Sequence, residues 1–87
     1  MTYEELKEQI IDNGFEEVEL LNNLDYADAF IGISSENGAI YDFDLMVEYL
    51  IKTEGFEELE AIEFIEYNVK QSLEYYKISP IIKYSLK

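Results

Sequence analysis

Residues 27–43 read Ala-Asp-Ala-Phe-Ile-Gly-Ile-Ser-Ser-Glu-Asn-Gly-Ala-Ile-Tyr-Asp-Phe, and this stretch decides the fold. The apolar and β-branched residues of 27–34 predict a central strand, and residues 39–43 predict the strand that follows it. Between them, Asn37-Gly38 is the strongest short turn signal for a β-hairpin. We therefore expect two antiparallel strands joined by a tight turn, with a positive φ at Gly38.

Helical patterns flank this hairpin on both sides. Thr2 with Glu5 forms a capping box for a first helix, which the Asn-Gly pair at 13–14 ends. Asp44 is placed to cap a second helix that runs to about residue 53. A third helix is predicted over 57–76, with an apolar face made of Ala61, Ile62, Phe64, Ile65, Val69, Leu73 and Tyr76.

Two further strands complete the predicted sheet. Val18 and Leu20 alternate with glutamates, which predicts a short strand with one solvated face. The apolar residues that follow Pro80 predict an edge strand near Ile81. The element order is then α-β-β-β-α-α-β. We expect a single acidic α+β domain over residues 1–87, with three helices and a small antiparallel sheet of about four strands.

The composition describes a small folded protein. The chain has 87 residues, which corresponds to one domain. Its 48% hydrophobic content, with eight Tyr and five Phe, is too high for a disordered chain. No apolar run approaches the roughly 20 residues of a membrane span, and no signal peptide opens the sequence. Because there is also no Cys, and hence no disulfide framework, we expect a cytoplasmic protein without membrane contact.

The charge is strongly acidic and uneven along the chain. Twenty Asp and Glu oppose six Lys, and the net charge is −14. Residues 1–66 carry nineteen of the acids against Lys7 and Lys52, whereas residues 67–87 carry one acid against four Lys. Because an acidic chain repels phosphate, we exclude direct binding to nucleic acid. The charge either keeps the protein soluble or attracts a basic partner.

The sequence lacks the residues on which most catalytic and metal sites depend. Without His and Cys it lacks the usual general base, the thiol nucleophile and the common transition-metal ligands, and without Arg it lacks the bidentate group that binds phosphate. Asp42 and Asp44 alternate at a predicted strand end and could hold a hard cation or form an acid–base pair. The alternative, which we favour, is that Asp44 caps the second helix and Asp42 is solvated. We expect no catalytic residue, no metal site and no cofactor, and hence no enzyme.

The outer side of the third predicted helix carries the residues that we expect to bind a partner: Glu60, Glu63, Glu66, Tyr67 and Glu74. Only Lys70 interrupts this acidic face. Successive carboxylates lie about 5–11 Å apart along the axis, a spacing comparable to that of phosphates in a nucleic-acid strand. A basic groove could accept this helix as a DNA mimic, with Tyr67 offering a ring for stacking. The alternative is a plain solvated helix face.

Four short stretches carry a resemblance: residues 29–33, residues 40–44, Glu54-Gly55-Phe56 and Glu63-Phe64-Ile65-Glu66-Tyr67-Asn68. In this order they resemble a family of small acidic proteins of unknown function from prophages and mobile elements of Gram-positive bacteria. The resemblance covers about residues 25–84. Where such proteins carry an Arg-Ala-Leu-Pro-Tyr stretch, this chain has residues 70–75 instead. The resemblance implies a mobile-element origin and no known activity.

Charge and resemblance together predict a non-enzymatic protein-binding module that is encoded by a phage or mobile element. We expect it to dock on a basic, nucleic-acid-binding surface of a host or phage protein, as anti-restriction and anti-CRISPR inhibitors of host defence do. The alternative is a homo-oligomeric accessory or structural protein without nucleic-acid mimicry. Such a homodimer would form through helix 44–53 or through the edge strand near Ile81.

Overall fold

The computed structural model describes residues 1–22 and 25–85 and has an α+β fold, as expected. A three-stranded sheet in the order β1-β2-β3 is combined with three helices. Along the chain the elements are α1 (Tyr3–Asp12), a 3₁₀ turn (Ala27–Ala29), β1 (Phe30–Ile33), β2 (Ala39–Asp42), α2 (Phe43–Glu54), α3 (Glu58–Phe64), a π turn (Ile65–Val69), a 3₁₀ segment (Lys70–Tyr75) and β3 (Ile81–Lys83). In the described ranges, no helix combines the length and the apolar content needed to cross a membrane.

The sheet is mixed, so the expectation of about four antiparallel strands is wrong. β1 pairs with β2 in the antiparallel sense, whereas β3 pairs with β2 in the parallel sense. Between β2 and β3 the chain passes through α2 and α3, and a helical crossover returns a strand in its original direction. β1 was expected at the centre of the sheet, but it lies at one edge. The edge position expected for the strand near Ile81 is confirmed.

The strand predicted at Val18–Leu20 does not form, which is a second correction. Leu20 and Leu21 are adjacent and both buried, so this segment does not alternate between a wet and a dry face. Its polar groups bond to distant parts of the chain instead of to a neighbouring strand. The N–H of Leu21 donates to the Tyr41 hydroxyl at 3.1 Å, and the Glu19 carboxylate accepts from the N–H of Ile78 at 2.8 Å.

The hairpin forms at the predicted place, but its positive φ falls on another residue. The N–H of Ser34 bonds to the C=O of Gly38 at 2.8 Å, and the N–H of Asn37 bonds back to Ser34 at 3.0 Å. Asn37 has φ 66°, which Asn tolerates better than most residues, and Gly38 has no positive φ. Gly38 is needed for space, because a Cβ there would lie 3.0 Å from Ser34 Oγ and 3.2 Å from the carbonyl oxygen of Ser79.

The helix α2 begins at Phe43, two residues before the start that a cap at Asp44 implies, and it has a different cap. The side chain of Asp42 accepts from the N–H of Leu45 at 2.9 Å, so Asp42 and not Asp44 is the N-cap. Asp44 is exposed in the first turn, where its charge is favoured by the helix dipole. The two carboxylates therefore belong to a helix terminus. Among the described residues, no group of three or more acidic residues is arranged to hold a metal ion.

The C-terminal helix, which we define as residues 58–75, is not the regular α-helix predicted over 57–76. Its winding widens after Phe64, where the N–H of Lys70 bonds to the C=O of Ile65, five residues back. The buried residues Ala61, Ile65 and Val69 recur every four positions, whereas an α-helix turns every 3.6. The π turn removes this mismatch, so that all three side chains face the core.

The core brings together side chains from every helix and from the sheet. Its largest fully buried members are Tyr26, Leu21, Tyr41, Met46, Leu50, Ile65 and Val69. Edge-to-face and tilted ring pairs continue it toward the surface, among them Phe30 with Tyr41 and Phe56 with Phe64. The outer side of the C-terminal helix is left in solvent, and this side carries the predicted partner-binding residues.

Candidate partner-binding surface

The N-terminal part of the C-terminal helix presents two of the five predicted residues. Glu60 and Glu63 are both exposed. Glu60 also has a structural role, because its carboxylate accepts from the N–H of Glu57 at 3.2 Å and completes a capping box with that residue. Glu63 makes no such bond in the described structure. Of these two carboxylates, Glu63 is the one fully available to a partner.

The middle of the helix is less acidic than the sequence suggested. Lys70 forms an ion pair with Glu66, with 3.2 Å between Nζ and the carboxylate, and its ammonium lies 5.2 Å from the ring centre of Tyr84. The Tyr84 side chain, and after it the Glu66 carboxylate, raise the pKa of Lys70 above its ordinary value. The negative charge of Glu66 is thus locally balanced. A partner that approaches here meets a cation as well as carboxylates.

The structure does bring Tyr67 and Glu74 together. Both line a shallow groove of about 450 Å³, with Asn68, Lys70, Gln71, Ser72 and Tyr75 completing its walls. Tyr67 is 68% exposed, so its ring projects into solvent as predicted. The groove offers hydroxyl, amide and carboxylate oxygens, together with two aromatic rings, to a ligand.

Tyr75 is the residue of this groove that sequence reasoning missed. It is 83% exposed, more than any other large hydrophobic residue in the described structure. On an ideal helical wheel Tyr75 stands about 80° from Tyr67, just outside the predicted face. The 3₁₀ segment changes that angle. The sequence did hold a signal for the exposure of Tyr75. The Tyr75-Tyr76 pair is followed by a turn and Pro80, which places it near a helix end, where helices often wind irregularly.

Side-chain bonds stabilise the irregular winding beneath this groove. The amide Nδ2 of Asn68 donates to the C=O of Phe64 at 3.2 Å, and the hydroxyl of Ser72 donates to the C=O of Val69 at 2.7 Å. Both carbonyls lie where the backbone changes from one winding to another and helical bonding is interrupted. These bonds hold Tyr67 and Tyr75 in a defined geometry on either side.

Carboxylates on the rest of the surface have few internal counter-charges. Between residues that the structure describes there are two ion pairs, Lys70 with Glu66 and the Met1 ammonium with Asp28. The hydrogen bond to Asp28 is also the main reason why the pKa of the Met1 ammonium is raised. Residues 1–66 hold nineteen acids and two lysines, and most of these acids are exposed to solvent.

Comparison of this chain with protein-family models, with curated proteins and with solved structures finds no match in any of the three. No relative therefore indicates which surface is used. The charges, the exposed rings and the grooves of this molecule are the observations from which its function is inferred.

Proposed function

We propose that this chain is a non-enzymatic, acidic protein-binding module that docks on the basic, nucleic-acid-binding surface of a partner protein. One observation carries the proposal: residues 1–66 hold nineteen acids against two lysines, and the ion pairs between described residues engage only Asp28 and Glu66 of these acids. A surface of this kind attracts a basic partner over long distances and accelerates the encounter. The partner is a host or phage protein, and the proposed effect is inhibition of a host defence system.

The groove at the C-terminal helix supplies the anchor for this contact. Exposed tyrosines are favoured in interfaces because they offer a large rigid area with a polar end. Tyr67 and Tyr75 flank the groove, and Glu74 lies between them in the sequence. A guanidinium or ammonium of the partner would find aromatic faces and the Glu74 carboxylate there, while Lys70, which also lines the groove, is paired with Glu66. Glu63, which lies one helical turn before Tyr67, extends the negative surface.

The proposal is tested on a partner recovered by affinity purification from the native host and identified by mass spectrometry. We expect a basic protein whose bound DNA or RNA is displaced by this chain in competition. Glu63→Lys combined with Glu74→Lys should weaken binding at least about tenfold, and Tyr67→Ala should mainly raise the dissociation rate. These two glutamates are chosen because their replacement leaves the Glu66–Lys70 pair intact.

Glu4→Lys combined with Glu8→Lys is the matched control, since it makes the same change in net charge on α1. If binding falls equally in both double variants, only the net charge matters and the groove is not the anchor. A partner that has no nucleic-acid-binding surface, or that keeps its nucleic acid in the presence of this chain, would contradict the proposal.

A homo-oligomeric accessory protein is the second candidate, and an apolar edge favours it. Ile81 is exposed on β3, an outer strand of the sheet, and Leu45 and Ile51 are exposed on α2. Exposed strand edges can pair with a second copy. The net charge of −14 opposes such self-association at low salt. Sedimentation equilibrium over a range of protein concentrations distinguishes the two candidates, because the second requires a mass that rises with concentration.

A further inference from the structure

A second groove, separate from the C-terminal helix, lies between α1 and β1. It has a volume of about 480 Å³ and is open to solvent along one side. Leu6 and Ile10 line it from α1, and Phe30, Ile31 and Ile33 line it from β1. Its lining is thus mainly apolar.

A tight helix terminus fixes one wall of this groove. After α1 the N–H of Gly14 bonds to the C=O of Ile11 at 2.9 Å, and the N–H of Phe15 bonds to the C=O of Ile10 at 3.1 Å. This pair of bonds, with φ 88° at Gly14, is the Schellman motif. The motif sets Phe15 beside Ile10, and both side chains line the groove. The position of the Phe15 ring is therefore determined by backbone bonding.

Apolar side chains in this groove are exposed to an extent that folding alone does not require. Phe15 is 41% exposed and Ile31 is 45% exposed, and Met1 adds a third exposed apolar chain to the same lining. Scattered surface hydrophobics are ordinary, but several that converge on one concave surface with a polar rim mark an interaction site.

The elements around the groove are rich in acids. Asp28 lines it directly, with its carboxylate paired to the Met1 ammonium of the same lining, so the unpaired acids of the rim are those on α1. On α1, Glu5 and Asp12 lie one turn before and one turn after Gln9, a lining residue, and therefore share its side of the helix. Lys7 is the only basic side chain among residues 1–36, which hold ten acids. A ligand with cationic groups beside an apolar stripe would match both the walls and the rim.

We propose that this groove binds a basic amphipathic helix of a partner protein, with its apolar stripe against Phe15 and Ile31 and its lysines or arginines toward the acidic rim. A strand added to β1 fits less well, because β1 has four residues and a register shift between Phe30 and Gly32 interrupts its ladder. A second copy of this chain is opposed by charge, since its acids would meet the same acidic rim.

This inference goes beyond the function proposed above, since it concerns different elements and an apolar contact. Either surface can fail its test without the other, because none of the residues substituted at one groove lines the other. A partner that carries both a nucleic-acid-binding surface and a basic helix would bind at the two grooves together.

The test uses a synthetic peptide of about 14 residues, with Leu at positions i, i+3, i+4 and i+7 and Lys elsewhere. A scrambled peptide of the same composition keeps the charge but loses the apolar stripe. Binding is measured by fluorescence anisotropy and is located on the ¹⁵N-labelled protein by NMR. We expect the patterned peptide to bind at least about tenfold more tightly than the scrambled one, with the largest shifts at Leu6, Ile10, Phe15 and Ile31.

Ile31→Ser should weaken binding of the patterned peptide at least about tenfold. Ile11→Ser is the matched control, because Ile11 is also 45% exposed but lies outside the lining, and it should bind as the wild type does. Equal binding of the two peptides, shifts spread over the acidic surface, or equal effects of the two variants would each overturn the proposal. A concentration-dependent dimer that Ile31→Ser dissociates would also overturn it and assign the groove to a second copy.

Discussion

The hydroxyl of Tyr41, a fully buried side chain of β2, accepts a hydrogen bond from the backbone N–H of Leu21 at 3.1 Å. This bond attaches the irregular segment before the hairpin to the middle strand of the sheet. Tyr26 is equally buried, yet its hydroxyl makes no hydrogen bond within the described structure. The two tyrosines therefore form a matched pair, one with a bonded hydroxyl and one without.

We expect Tyr41→Phe to lower the free energy of unfolding by about 1–3 kcal/mol, because the N–H of Leu21 would remain buried without a partner. Tyr26→Phe should leave stability unchanged or raise it, since it removes an unbonded buried hydroxyl. Urea unfolding followed by circular dichroism measures both variants. Equal losses in the two would mean that the Tyr41 hydroxyl bond contributes nothing particular to the fold.

Stability should also fall at alkaline pH. Burial raises the pKa of Tyr41 to about 12, and burial is likewise the main cause of the raised pKa of Tyr26 and of Tyr49. A folded-state pKa above the unfolded value means that the stabilisation is complete below about pH 10 and is lost as the pH rises through about 12. Phenolate absorbance and circular dichroism, recorded together, should show buried tyrosines ionising as the protein unfolds. Ionisation of all eight tyrosines near pH 10 in the folded state would contradict this.

The hairpin turn gives a prediction on two adjacent residues. Gly38→Ala should destabilise the protein by about 1–3 kcal/mol, because the added methyl would press against Ser34 and the Ser79 carbonyl. Asn37→Gly should have little effect or stabilise slightly, since glycine adopts the positive φ of this position without strain. Thermal unfolding of both variants is the measurement. The opposite ranking would contradict both the close contacts around Gly38 and the backbone strain at Asn37.

The net charge predicts a dependence on salt. At −14 the folded chain repels itself, and this repulsion is weaker where the Debye length is short. The melting temperature should be higher in about 0.5 M NaCl than in about 0.02 M NaCl. Glu4→Gln with Glu8→Gln removes two exposed charges from α1 and should reduce the size of that increase. A melting temperature that does not respond to salt would show that the carboxylates lie too far apart for their mutual repulsion to affect stability.

Local signals predicted the local structure well. The capping box of Thr2 and Glu5, the end of α1 at Asn13-Gly14 and the hairpin around Asn37 are confirmed, because each depends on residues within a few positions of one another. The errors arose where the local structure depends on residues that are distant in the sequence. Val18–Leu20 has a strand pattern but no strand beside it, and the direction of β3 depends on the helices that separate it from β2.

The candidate surface was predicted in part for a similar reason. The exposure of Tyr67 and Glu63 follows from simple periodicity and is confirmed. Glu66 is paired with Lys70 one turn away, and Lys70 also contacts Tyr84 on the segment after β3, a contact that was not visible in the sequence. Tyr75 was missed because the wheel assumed constant winding, whereas packing of Ala61, Ile65 and Val69 imposes a π turn.

The parallel pairing of β3 with β2 bears on the order in which the molecule assembles. The hairpin of β1 and β2 closes a short loop, and α1 needs only its own sequence to begin, so both can form early. Ile40 meets Ile81 across about forty positions of chain, and closing so long a loop is entropically costly and slow. We expect β3 to dock last. Until it does, one side of β2 is an open strand edge, and in that interval the repulsion between these highly acidic chains keeps two of them from pairing there.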